Sequence, residues 1–193
     1  MRVIISYIVN MLPYMLIAFP VYLVARGIYI KLKKKEFNIV REAMLLAFII
    51  FIAGLTSQTV IPKFEFGVDG FGIVENGVHQ TNLIPFKVFS QTHYEVFVNK
   101  NINYFLINFL GNIILFMPFG FVIPLLWKIS AKKAVLIGFL ASLFIETCQL
   151  FLARGTDVDD LILNTFGALL GAVLFKILQR CSKGFIEKFK VNK

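Results

Sequence analysis

The side chains equipped for chemistry crowd into one stretch: Glu146 and Gln149, then Arg154, then Asp157, Asp159 and Asp160, and finally Asn164. Glu146 offers a carboxyl group for acid or base work, and Arg154 a fork of donors suited to phosphate. Three aspartates within four positions could supply hard oxygen ligands to a divalent cation such as Mg2+ or Ca2+. They could equally recognise a cationic or hydrogen-bonding headgroup. A plainer role is helix capping, because acids at a helix start satisfy free N–H groups and complement the dipole, and Asp157 with Asp160 has the spacing of a capping pair. The spacing matches no strong metal motif, so these readings stay open. His79 and His93 have no cysteine near them, which disfavours zinc. No Ser-His-Asp arrangement, Walker loop or dinucleotide fingerprint is present.

Those polar groups interrupt a chain that is otherwise soluble in lipid. Of its 193 residues 58% are hydrophobic and 16% charged, and the mean hydropathy is +0.78. One soluble core of this size cannot hide so much apolar surface. The 20 Lys and Arg against 11 Asp and Glu give a net charge of +9. The basic residues flank apolar runs, a membrane pattern that argues against nucleic acid as a partner and for topology signals and anionic-lipid contacts.

The fold class expected is an all-α integral membrane protein, a bundle of about five transmembrane helices. Two spans, about 3–30 and 43–61, flank a basic loop at 31–42 and make up residues 1–61. Residues 62–103 lose the apolar character and form a long loop, within which Phe86, Phe89, Tyr94 and Phe97 alternate with polar residues as in a short helix at the membrane surface. Three more spans, 104–127, 134–153 and 161–178, make a core at 104–178, followed by a basic tail at 179–193. The positive-inside rule sets the loops at 31–42 and 128–133 and the tail in the cytoplasm, hence the N-terminus outside and the C-terminus inside, with only Arg2 against it. The expected home is a bacterial cytoplasmic membrane, crossed several times. Cys148 and Cys181 then lie at opposite sides, too far apart for a disulfide.

Depth gathers the polar residues. At about 1.5 Å per residue, Asn108 and Asn112 lie about 6 and 12 Å below the outer end of the third span and share a face, being four apart. Glu146, Gln149 and Asn164 fall at similar depth on the fourth and fifth, so an outward-facing polar pocket is expected. A carboxylate facing lipid there costs about 3 kcal/mol, so Glu146 is expected to turn inward, protonated or paired with Asn108, Asn112, Gln149 or Arg154. Alternatively, Asn108, Asn112, Gln149 and Asn164 are structural hydrogen-bonding glue between helices. Gly167 and Gly171 form a GxxxG on the fifth span, read as close helix packing or as the seam of a homodimer.

Asn82-Leu83-Ile84-Pro85-Phe86, Asn108-Phe109-Leu110-Gly111-Asn112 running into Leu115-Phe116-Met117-Pro118-Phe119-Gly120, Glu146 with Gln149, and Arg154 with Asp157-Val158-Asp159-Asp160-Leu161, Asn164 and Gly167 together resemble the VanZ family over residues 81–175. The resemblance implies membrane residence and a link to low-level resistance to teicoplanin, achieved without altered cell-wall precursors. It implies no reaction and no cofactor. The leading expectation is a pocket, with Asn82 in its lid, that binds an envelope lipid or lipid-linked group and blunts glycopeptide or lipoglycopeptide action. The alternatives are a membrane enzyme on a lipid-linked phosphate, with Glu146 as acid or base, Arg154 on phosphate and a metal at the aspartates, and a transporter or scavenger subunit dimerising through Gly167 and Gly171.

Overall fold

The protein, seen in a computed structural model, is described over residues 2–34, 36–62, 64–67, 70–73, 81–152 and 155–189. The apolar runs are helices, as they must be where lipid offers no hydrogen bonds to a bare backbone. Among the described residues five helices are long and apolar enough to cross a membrane. They are α1 (Arg2–Lys33), α2 (Ile39–Thr59), a composite of α4 (Ile102–Tyr104), a π-helical segment (Phe105–Gly111) and α5 (Asn112–Leu126), then α6 (Ala131–Phe151) and α7 (Val158–Cys181). Beyond α7 a short α8 (Lys183–Glu187) follows.

The helix ends differ from the limits of the apolar runs, because helices here continue through charges that find partners. α2 begins at Ile39 rather than 43, capped by Asn38, whose side chain accepts from the Arg41 N–H at 3.1 Å. Arg41 and Glu42 therefore lie inside a span, not in the basic loop. Glu42 is tolerated there because Arg26 of α1 grips both of its carboxylate oxygens at 2.7 Å. α6 starts at Ala131 behind a Ser130 cap, and α7 at Val158 behind Asp157. Asp159 and Asp160 thus belong to the first turn of α7, not to a loop before 161.

α5 and α7 form the central seam. A Cβ on Gly167 would strike the backbone of Ile113, one on Gly171 that of Met117, and one on Gly120 that of Ala168. Without a hydrophobic drive between helices in lipid, this backbone approach is what holds them. The GxxxG face is thereby filled from within the chain, and a dimer through Gly167 and Gly171 would have to displace α5. α6 closes on the seam where Gly138 meets Ala168, and α2 where Phe48 packs edge-on to Phe119 at 5.9 Å. α1 is peripheral: its membrane window is unburied, and it leans on α2 through Met11 and Met15 at Gly54.

The long connection between α2 and α4 has structure of its own. β1 (Phe64–Gly67) pairs antiparallel with β2 (Gly70–Ile73). β3 (Thr81–Asn82) pairs in parallel with β4 (Thr156–Asp157), the strand just before α7. α3 (Lys87–His93) then continues as a π-helical turn, Tyr94–Val98, over the residues whose alternation predicts a surface helix.

Candidate functional site

The site is assembled at the start of α7. Asp157 ends β4 and caps α7, its Oδ1 accepting from the Asp159 N–H at 2.8 Å. The same oxygen accepts from Asn82 Nδ2 at 2.8 Å, so the cap also fastens the loop after β3. Asn82 in turn uses its Oδ1 on the Ile84 N–H, an Asx turn that sets the direction of Leu83-Ile84-Pro85. The backbone N–H of Asp157 donates to Glu146 Oε2 at 3.0 Å.

Asp159 is buried, 1% exposed. Its Oδ1 accepts from the Phe86 N–H at 2.5 Å and its Oδ2 from the Val88 N–H at 2.7 Å. Phe86 stands at the start of α3 with φ 65° and a side chain unable to cap. The free donors of α3 are instead satisfied by a carboxylate reaching over from α7, a cap supplied across the fold. Asp160 turns the other way and accepts from Asn112 Nδ2 at 2.5 Å.

The sequence-predicted residues are thus only partly brought together. Asn82, Asn112, Glu146, Asp157, Asp159 and Asp160 fasten β3, α3, α5, α6 and α7 to one another. Glu146, 6% exposed, does turn inward, and among the described residues its partner is the Asp157 backbone N–H rather than Asn108, Asn112 or Gln149. Arg154 lies outside the described residues, as does His79. Asn108 stays on the exposed side and among the described residues donates to the Tyr104 carbonyl. It stays linked to Asn112, whose Nδ2 donates to the Asn108 carbonyl at 3.1 Å, but only Asn112 goes on to reach Asp160. The three aspartates diverge onto separate partners, and among the described residues no three His, Cys, Asp or Glu side chains are grouped to hold a metal ion. Asp157 caps, but Asp160 is not its capping partner.

Two interhelical pairs lie nearby. Asn164 donates to Ser142 Oγ at 2.9 Å, both buried, and Gln149 reaches the Thr59 carbonyl of α2 at 3.5 Å. Ser142 escaped the sequence reading, although it sits four residues before Glu146 and so on the same face of α6. Three buried oxygens here, Gln149 Oε1, Thr156 Oγ1 and Asn164 Oδ1, have no hydrogen-bond partner among the described residues. Such atoms are uncommon in folded proteins, and they mark where a polar group of a ligand would be welcome.

The outer rim is apolar. Leu83, Ile84 and Phe86 are 74%, 65% and 62% exposed. Further along, a cavity of about 410 Å³ on α3, its π-helical continuation and α4 is lined by Ser90, Gln91, Tyr94, Glu95 and Tyr104, with the Tyr104 hydroxyl donating to Gln91. A clamped backbone, greasy tips and a polar hollow together suit an amphiphile better than a soluble metabolite.

A family model described as VanZ/LLP1 matches residues 43–179, from α2 through α7 and across the whole of this site. No curated protein and no solved structure matches the chain.

Proposed function

Because the chain belongs to the VanZ/LLP1 family, we propose that this membrane protein binds an envelope lipid or lipid-linked group at the outer face of a bacterial cytoplasmic membrane. Through that binding it contributes to resistance to teicoplanin or related glycopeptide and lipoglycopeptide antibiotics. The observation that carries the reading is the Asp157–Asp159 clamp. Half-buried Asp157 holds the Asn82 side chain and buried Asp159 the Phe86 and Val88 N–H groups, so that Leu83, Ile84 and Phe86 project from the loop, beside unpartnered polar oxygens. Apolar tips that enter lipid and a polar floor behind them fit a headgroup whose chains remain in the bilayer. The basic loops lie at the other end of the helices, which by the positive-inside rule supports a clamp on the outside, where these antibiotics act.

A metal-dependent reaction at the aspartates is disfavoured by the partners they already hold. Both oxygens of Asp159 are spent on backbone N–H groups, and Asp157 and Asp160 hold asparagines. The test compares teicoplanin susceptibility of a sensitive host carrying the wild type, Glu146→Gln or an empty vector, at matched membrane expression. The wild type is expected to raise the inhibitory concentration and Glu146→Gln to lower it toward the empty vector. Equal susceptibility in all three overturns the resistance role.

A further inference from the structure

At the end of the bundle away from the clamp lies a cavity of about 720 Å³ whose walls mix cations with apolar surface. Arg26, Arg41, Lys128 and Lys176 line it, against the single carboxylate of Glu36. Arg26 is committed to Glu42. Arg41 is different: its Nη1 donates to the carbonyls of Leu126 and Phe189, and it has no carboxylate partner among the described residues. A half-buried guanidinium in a membrane-length helix is costly unless its charge is answered.

The start of α6 opens onto the same cavity through Ser130 and Ala131. The Ser130 side chain takes the Lys133 N–H and its carbonyl the Ala134 N–H. The N–H groups of Ala131 and Lys132 have no partner among the described residues, and a helix start with free donors attracts anions. Leu45, Pro124 and Phe175 give the cavity an apolar wall.

We propose that this cavity binds the phosphate headgroup of an anionic membrane lipid. The phosphate sits between Arg41 and the start of α6, Lys128 and Lys176 close the mouth, and an acyl chain follows the Leu45–Phe175 wall. A guanidinium and a helix N-terminus on one cavity suit phosphate oxygens, and the apolar wall makes a lipid a better occupant than a free phosphate. The bound lipid would tie α2, α6 and α7 together at the leaflet richest in anionic headgroups. None of these residues belongs to the clamp, so lipid retention here and antibiotic susceptibility above can fail independently.

The experiment is native mass spectrometry of the full chain with phosphatidylglycerol or with phosphatidylcholine of the same acyl chains. Phosphatidylglycerol is expected to be retained preferentially, at one molecule per chain. Lys128 and Lys176 are exposed, so their replacement leaves the fold alone. Lys128→Glu with Lys176→Glu is expected to weaken retention about tenfold or more, and Lys31→Glu with Lys33→Glu, the same charge change at exposed positions outside the cavity lining, by less than about threefold. Equal retention of the two lipids, or equal losses in the two lysine pairs, overturns the site. Displacement of the lipid by equimolar inorganic phosphate or glycerol 3-phosphate overturns its assignment to a lipid and points to a soluble phosphate.

Discussion

Asp159 and Asp160 are neighbours in one helical turn with opposite tasks, and the difference is testable by the same substitution at each. Asp159 needs two acceptor oxygens, one for Phe86 and one for Val88, while Asp160 needs one for Asn112. An asparagine keeps one acceptor and turns an NH2 toward whatever the second oxygen faced. Asp159→Asn therefore sets donor against donor in a buried position and is expected to destabilise by about 2–4 kcal/mol, with proteolysis appearing first between residues 81 and 98. Asp160→Asn keeps its contact and is expected to lose less than about 1.5 kcal/mol. Thermal unfolding in detergent reads both, and equal losses would mean that charge near the α7 dipole matters more than the geometry of the clamp. Composition and spacing show that these acids belong to one locus. They do not show that the carboxylates diverge, because that depends on α3 arriving from a segment more than seventy positions earlier in the chain.

At the scale of helices, small residues decide the packing. Gly167→Ala and Gly171→Ala place a methyl group against the backbone of α5, which has no rotamer by which to yield. Each is expected to cost about 1–3 kcal/mol or more and to lower the melting temperature. At Gly184 in α8 an added methyl group would meet nothing within 4 Å, so Gly184→Ala is expected to be neutral or to gain up to about 1 kcal/mol. If all three glycines behave alike, helix propensity rather than close approach is the cause. The five spans are legible from hydropathy because lipid permits little else. Their ends are less so: Arg41 and Glu42 read as loop until Arg26 is seen to neutralise Glu42 from another helix. Nor does hydropathy anticipate the π-helical Phe105–Gly111, and depth and spacing alone do not show that Asn108 stays exposed while Asn112 reaches Asp160 on another helix.

For the molecule as a whole, the two ends of the bundle carry opposite characters. At one end Leu83, Ile84 and Phe86 project above the clamp; at the other, Lys128, Lys132 and Lys133 follow α5 and enter α6, with Arg180 and Lys183 flanking the end of α7. Both proposed sites take their meaning from which end faces the cytoplasm. The positive-inside rule chooses the lysine-rich end, and it can be tested with one native and one introduced thiol. Cys181 is free and exposed at the lysine-rich end, and Leu83 is exposed at the clamp. In a Cys148→Ser background, Leu83→Cys with Cys181→Ser is expected to react with a membrane-impermeant maleimide in intact cells. With Leu83 left in place, Cys181 is expected to react only after permeabilisation. The reverse pattern would put the clamp in the cytoplasm, out of reach of an antibiotic that acts outside. It would also turn the phosphate cavity toward the outer leaflet, so this labelling experiment bears on both proposals at once.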